Sequence, residues 1–178
     1  KITYRSTREV MRLAQEVLGE LRDEDAPIVA RGGAPVGYYD FGDQGESVAF
    51  LGEALRNLMI REPSASVAVI CRYPQQAKMY YDGLHLAEVP RLRLVARQDF
   101  SFKPGIDVTD VRQVKGLEFD YVVLMDPTGQ NCPATDASRH LLHIAATRTA
   151  YQLWIVCTGI ASELLPREMI DAGTFGDG

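Results

Sequence analysis

At 178 residues the chain is long enough for one domain with a sizeable core, and its 46% hydrophobic and 24% charged residues are ordinary for a globular protein. A net charge of −5 excludes a domain-wide basic footprint for nucleic acid, so any such contact must be local. No apolar run approaches the roughly 18 residues of a membrane span, and nothing at the amino end resembles a signal peptide.

The three cysteines, Cys71, Cys132 and Cys157, are far apart, odd in number and without metal-ligand spacing. Cys71 and Cys157 end apolar strands and read as buried thiols, which suits a reducing cytoplasm, the expected location. Lys1 stands where an initiator methionine would, which suggests a piece of a longer protein.

Tyr4-Arg5-Ser6-Thr7 opens the first predicted helix. Ser6 followed by Glu9 has the spacing of a capping box. Val10, Leu13, Ala14, Val17, Leu18 and Leu21 then recur as a helical stripe, ended by Asp23-Glu24-Asp25 and Pro27. Pro27–Arg31 and Val36–Phe41 read as short strands joined through Gly32-Gly33, either a hairpin or a small edge crossover. Glu46–Arg61 reads as a second helix, Ser66–Cys71 as a buried central strand and Gln75–Leu86 as a third helix. The alternation in Arg91–Gln98 predicts a half-exposed strand, with Arg91 and Arg93 on one side and Leu92 and Leu94 on the other. Phe100–Gly105 is a loop, and Ile106–Val114 is strand or extended chain.

The stretch Val111–Asp126 is the most informative. Lys115-Gly116-Leu117-Glu118-Phe119-Asp120 leads into the apolar run Tyr121–Met125, which reads as a strand covered on both faces. Gly116 permits a sharp turn or a close approach to a ligand. The alternative is a solvated turn before a core strand. Pro127–Pro133 is loop-forming. Asp136–Thr149 reads as a helix, Tyr151–Cys157 as a buried strand, Ala161–Ala172 as a last helix and Gly173–Gly178 as a disordered tail. Strands alternating with helices predict an α/β layered domain with a mainly parallel sheet.

No phosphate-cradling Gly-x-x-x-x-Gly-Lys-Ser/Thr loop is present. His140 and His143 stand at helical spacing without an evident third metal ligand, and read as ordinary helix residues. Cations do stand at structural junctions: Arg5 at a helix start, Arg148 at a helix end before a core strand, Lys115 on the central turn. A cation at a helix carboxyl end is explained by the helix dipole, whereas Arg5 gains nothing from it. Either guanidinium could serve a phosphate.

Three stretches, in this order, resemble motifs of superfamily 1 helicases of the UvrD/Rep type. Tyr4-Arg5-Ser6-Thr7 resembles motif IV, Val114–Asp120 motif V, and His143–Ala150 motif VI. The resemblance implies the second, carboxyl-terminal RecA-like domain, a three-layer fold lacking its own Walker A loop, over residues 1–172. The short form is similar to the carboxyl-terminal modules of HelD-type proteins.

The resemblance also implies roles. Arg5 and Arg148 would reach the γ-phosphate of ATP as arginine fingers. Glu118 would accept a hydrogen bond from the ribose, Gly116 would let the loop pass close to the nucleotide, and Lys115 would steady the loop. ATP and magnesium would be held mainly by an N-terminal RecA-like domain of the parent chain, and this fragment alone would be inactive. Single-stranded DNA would be gripped weakly, through Arg112 or Lys103. Asp110 and Arg112 replace the threonine and histidine that family members often carry there, and Asp110 would repel a phosphate. Two alternatives stay open: a HelD-type ATPase remodelling RNA polymerase, and a non-catalytic RecA-like module that binds DNA or protein. No membrane partner is expected.

Overall fold

The computed structural model describes residues 7–22 and 33–176. Among these, seven strands form one sheet: β1 (Val36–Phe41), β2 (Ser66–Cys71), β3 (Leu92–Leu94), β4 (Gly105–Asp110), β5 (Phe119–Met125), β6 (Thr149–Thr158) and β7 (Thr174–Phe175). Their spatial order is β3-β4-β2-β5-β6-β1-β7. Every pairing is parallel except that of β7, which runs antiparallel to β1. The helices are α1 (Arg8–Leu18), α2 (Gln44–Arg61), α3 (Pro74–Leu86), α4 (Asp136–Thr147) and α5 (Arg167–Ala172).

The parallel strands have continuous apolar sequences because both faces are covered. Val67, Val69, Val123, Met125, Trp154 and Val156 project to one side, where α2 and α3 add Leu51, Leu55, Leu58, Tyr80 and Leu84. Ala68, Ile70, Val122, Leu124, Leu153 and Ile155 project to the other, against Val10, Leu13 and Val17 of α1 and Leu142, Ala145 and Ala146 of α4. The result is the α/β three-layer sandwich expected from the sequence.

Local differences from the predicted elements have identifiable causes. The cap of α1 is Thr7, whose hydroxyl accepts from Val10 N at 3.3 Å; Ser6 lies outside the described residues. Glu9 Oε1 accepts from Gly33 N at 2.9 Å. The helix ends early, at Gly19 with φ 56°, a conformation that suits glycine. Leu21 is consequently exposed in a 3₁₀ turn rather than buried in the stripe. The expected strand Pro27–Arg31 lies outside the described residues.

Only Leu92–Leu94 of the predicted Arg91–Gln98 strand forms β3, an edge strand paired solely with β4. Its ladder stops where Thr109 Oγ1 takes the Val95 carbonyl, 2.7 Å, and the chain bends away. After β4, Val111–Gln113 is a 3₁₀ turn capped by Asp110, not extended chain. The last helix begins at Arg167 rather than Ala161, because Pro166 would break a helix at its interior and is tolerated only at or just before its first turn. Ser162 is instead tied to the loop after β5, accepting nothing from a helix and donating through its hydroxyl to Cys132 O at 2.6 Å. The tail expected to be disordered is ordered as far as Gly176: Phe175 is 2% exposed in the core and lies under Arg12, whose Cζ is 4.4 Å from the ring centroid.

Candidate functional site at the amino edge of the sheet

The parallel strands all begin at one edge of the sheet. There β5 and β6 bring the two later motifs together. Phe119 pairs with Thr149, and Phe119 N donates to Arg148 O at 2.8 Å. Glu118 and Arg148, thirty positions apart in the chain, are therefore the residues immediately before two adjacent strands. Arg148 is the carboxyl cap of α4, its N–H donating to Ala145 O.

The Arg148 guanidinium is partly desolvated. Nη2 donates to Thr147 Oγ1 at 3.1 Å, but Nε is buried without an acceptor. Burial pushes its pKa below the ordinary arginine value, and the Glu118 carboxylate opposes that only in part. A buried donor with nothing to bond is costly in a folded domain and fits an anion brought by a ligand.

Lys115 and Gly116 occupy the tip of a tight turn closed by Leu117 N donating to Val114 O, 3.0 Å. Gly116 has φ 81°, the value that the third residue of a type II turn requires, which selects glycine. A side chain built there would meet nothing within 4 Å, so the approach to this backbone is open. Lys115 is exposed.

Glu118 also lines a cleft of about 270 Å³ together with Phe102, Lys103, Leu117, Ser66 and Asp120. The cleft floor is fixed by a reciprocal pair: Asp120 Oδ2 accepts from Ser66 N and Ser66 Oγ accepts from Asp120 N, both at 3.0 Å. That pair uses the irregularity between Phe119 and Tyr121, where Asp120 drops out of the β5–β6 register.

Lys103 and Arg112, grouped from the sequence as a nucleic-acid contact, do not form one patch. Lys103 precedes the first residue of β4 and Arg112 follows its last, so about 20 Å of strand separates them. Arg112 is moreover held by Asp110, which accepts from its N at 3.1 Å and its Nε at 3.3 Å. Asp110, 1% exposed, is a buried cap rather than a surface charge confronting a phosphate.

Arg5 lies outside the described residues. Arg139 Nη1 donates to Val17 O at 3.3 Å, and His143 Nδ1 is 3.0 Å from Ala14 O, so α1 and α4 run antiparallel. Thr7, at the start of α1, therefore belongs to the same end of the domain as Arg148, at the end of α4. His143 is accounted for by that contact, His140 is exposed, and among the described residues no group of three His, Cys, Asp or Glu side chains is placed to hold a metal ion.

Two features escaped the sequence reading. Arg93, assigned to solvent by alternation, turns onto Asp107 with Nε to Oδ1 at 2.8 Å. At the opposite edge of the sheet, a cavity of about 560 Å³ is bordered by Asp126, Thr128, Asn131 and Thr158. Asp126 accepts there from Tyr80 Oη and from Thr158 N at 2.8 Å, and burial raises its carboxyl pKa. The signal for both was a charged residue inside or at the end of an apolar strand. The cysteines offer no nucleophile: Cys132 and Cys157 are pushed up to about 11 by burial, and Cys71 further.

Residues 105–156, from the start of β4 into β6, match the sequence profile of the UvrD-like helicase C-terminal domain. This span contains Lys115, Gly116, Glu118 and Arg148. The fold is similar to that of the C-terminal domain of a possible DNA helicase from Lactobacillus plantarum WCFS1, at 22% identity and a TM-score of 0.75, covering 93% of this chain and 94% of that one. Looser likenesses include the Sulfolobus solfataricus SWI2/SNF2 ATPase core in complex with dsDNA, at 18% identity and a TM-score of 0.49, covering 71% of this chain and 28% of that one. The UvsW helicase of bacteriophage T4 follows at 9% identity and 0.48, covering 79% and 52%. No curated protein matches the chain in sequence.

Proposed function

With the profile match over residues 105–156 as premise, we propose that this chain is the second RecA-like motor domain of a UvrD-like, ATP-dependent DNA helicase or translocase. Its amino edge would supply one wall of a nucleotide site whose other wall belongs to an N-terminal RecA-like domain of the parent chain. The observation that carries this reading is the buried, acceptor-less Nε of Arg148 beside Glu118.

In the closed site Arg148 would meet the γ-phosphate. Water attacks phosphorus, the bond to the bridging oxygen breaks, and ADP leaves. The guanidinium neutralises the charge that spreads over the transferring oxygens. Glu118, exposed on the cleft wall, would accept from a ribose hydroxyl. The open approach to Gly116 would admit the nucleotide to the loop backbone, and Lys115 would steady that loop. Arg5 would act from the start of α1. Magnesium supplies further neutralisation of the phosphates and would be held by the partner domain. Loss of the γ-phosphate removes the ligand both walls share, so the cleft reopens.

Single-stranded DNA is the acted-on partner this reading favours. Nothing in the chain's geometry favours RNA polymerase, and a non-catalytic module leaves the desolvated Arg148 without a purpose. The test is DNA-stimulated ATP hydrolysis by the parent protein carrying Arg148→Ala or Arg148→Lys. A loss of about 10³–10⁵ in kcat is expected for a removed finger. An unchanged kcat in both variants would end the proposal.

A further inference from the structure

Strands β5 and β6 pair irregularly where they begin. Phe119 pairs with Thr149 and Tyr121 with Gln152, so β6 places two residues, Ala150 and Tyr151, where β5 places only Asp120. An extra residue on one strand bends and twists it, and such bulges recur beside active sites, where they re-aim a side chain. This bulge opens at the residue that follows Arg148.

A clasp of polar groups holds the bulge in shape. Thr149 is 0% exposed, and its hydroxyl donates to Gln152 O at 2.7 Å, joining the two ends of the bulge. Asp120 O lies 3.4 Å from the same hydroxyl. Asp120 is fixed from the β2 side by its reciprocal bonds with Ser66, and Gln152 from the β1 side, where its Nε2 donates to Pro35 O at 3.4 Å. Arg148 sits at the edge of this frame, its carbonyl accepting from Phe119 N at 2.8 Å. A buried hydroxyl is costly unless it is bonded, and both acceptors within reach of Thr149 belong to the bulge. Packing alone would be served by valine.

We infer that Thr149 is a positioning residue for Arg148. By holding the bulge closed, its hydroxyl fixes where β6 starts, and with it the point from which the guanidinium projects. This rests on the function proposed above, because that point matters to hydrolysis only if Arg148 meets the phosphoryl group. A displacement of about 1 Å at a reacting group can cost about 10²-fold in rate. Binding of ATP, held mainly by the other domain in that reading, would be little affected.

The test is a double-mutant cycle in the parent protein, read as kcat and KM of DNA-stimulated ATP hydrolysis and accompanied by thermal unfolding. Thr149→Val should lower kcat about 10²-fold and leave KM unchanged. Thr149→Ser, which keeps the hydroxyl, should retain the kcat of the unaltered protein. Thr149→Ala also removes the hydroxyl, should behave like Thr149→Val, and takes its place if that variant does not fold. In Arg148→Ala, the further change Thr149→Val should have no effect on kcat, because Thr149 acts through Arg148. The inference is overturned if the variants without the hydroxyl keep their kcat and lose only thermal stability, if Thr149→Ser loses as much as they do, or if the loss is equally large in the Arg148→Ala background. Full hydrolysis in Arg148→Ala itself sinks the site proposed above. A loss in Arg148→Ala with none in Thr149→Val sinks the positioning role alone.

Discussion

Replacing Arg148 by methionine is expected to stabilise the 178-residue chain while removing the group on which hydrolysis is proposed to depend. The buried Nε without an acceptor carries a penalty of about 1–3 kcal/mol. Two favourable terms stand against it. The Nη2 bond to Thr147 Oγ1 at 3.1 Å is worth about 1 kcal/mol. The attraction of Glu118, an exposed partner, is worth less than about 1 kcal/mol. Thr147 Oγ1 also contacts the carbonyls of His143 and Ile144, at 2.9 and 3.1 Å, so the substitution leaves no buried hydroxyl unpaired. Because burial lowers the guanidinium pKa, folding disfavours its charged form at every pH below the unfolded value, neutral pH included. Methionine keeps a flexible apolar stem in the same space. At the middle of these ranges the net gain is about 0.5 kcal/mol, or about 1–2 °C in Tm for a chain of this size. Thermal unfolding followed by circular dichroism measures it. A fall of more than about 2 °C would mean that Arg148 is already satisfied in the free domain, and the reasoning from its orphaned Nε would be wrong.

Two further outcomes concern the fold. Phe175→Ala empties a buried site under Arg12 and should cost about 3–5 kcal/mol in urea unfolding; a cost below about 1 kcal/mol would return the tail to the disorder read from the sequence. Asp126 has a carboxyl pKa raised by burial, so its contribution to stability is full below the unfolded value near 3.9 and is lost as pH rises through the folded value. Asp126→Asn should flatten that part of the profile. Urea midpoints taken from about pH 4 upward would show it, and identical slopes in the two proteins would refute it.

Where both faces of a strand are covered, the sequence alone located it well. Ser66–Cys71 and Val36–Phe41 have the same bounds in the structure as in the sequence reading. The pairing of Glu118 with Arg148 was legible only through the resemblance, since spacing along a chain does not reveal which strands become neighbours. What was illegible has a common physical origin: side chains recruited by distant backbone. Thr109 ends β3 by taking the Val95 carbonyl, and Arg93 leaves its solvent-facing position for the carbonyls of residues 103 and 104. Phe175 is drawn onto β1 by the unpaired edge of the sheet and by the space between α1 and α5. Periodicity cannot register such contacts. The start of the last helix is a different case, because Pro166 announced it and the apolar run before it overrode the signal.

Between the last residue of β4 and the first of β5, eight residues carry the chain from one edge of the sheet back to the other. Three of them advance only about 2 Å each in a 3₁₀ turn, and the next four, Val114–Leu117, fold into the tight turn around Gly116. The journey itself is about 20 Å. Such a connection is two turns in series rather than a slack loop, and it sets Arg112 at one edge of the sheet and Glu118 at the other.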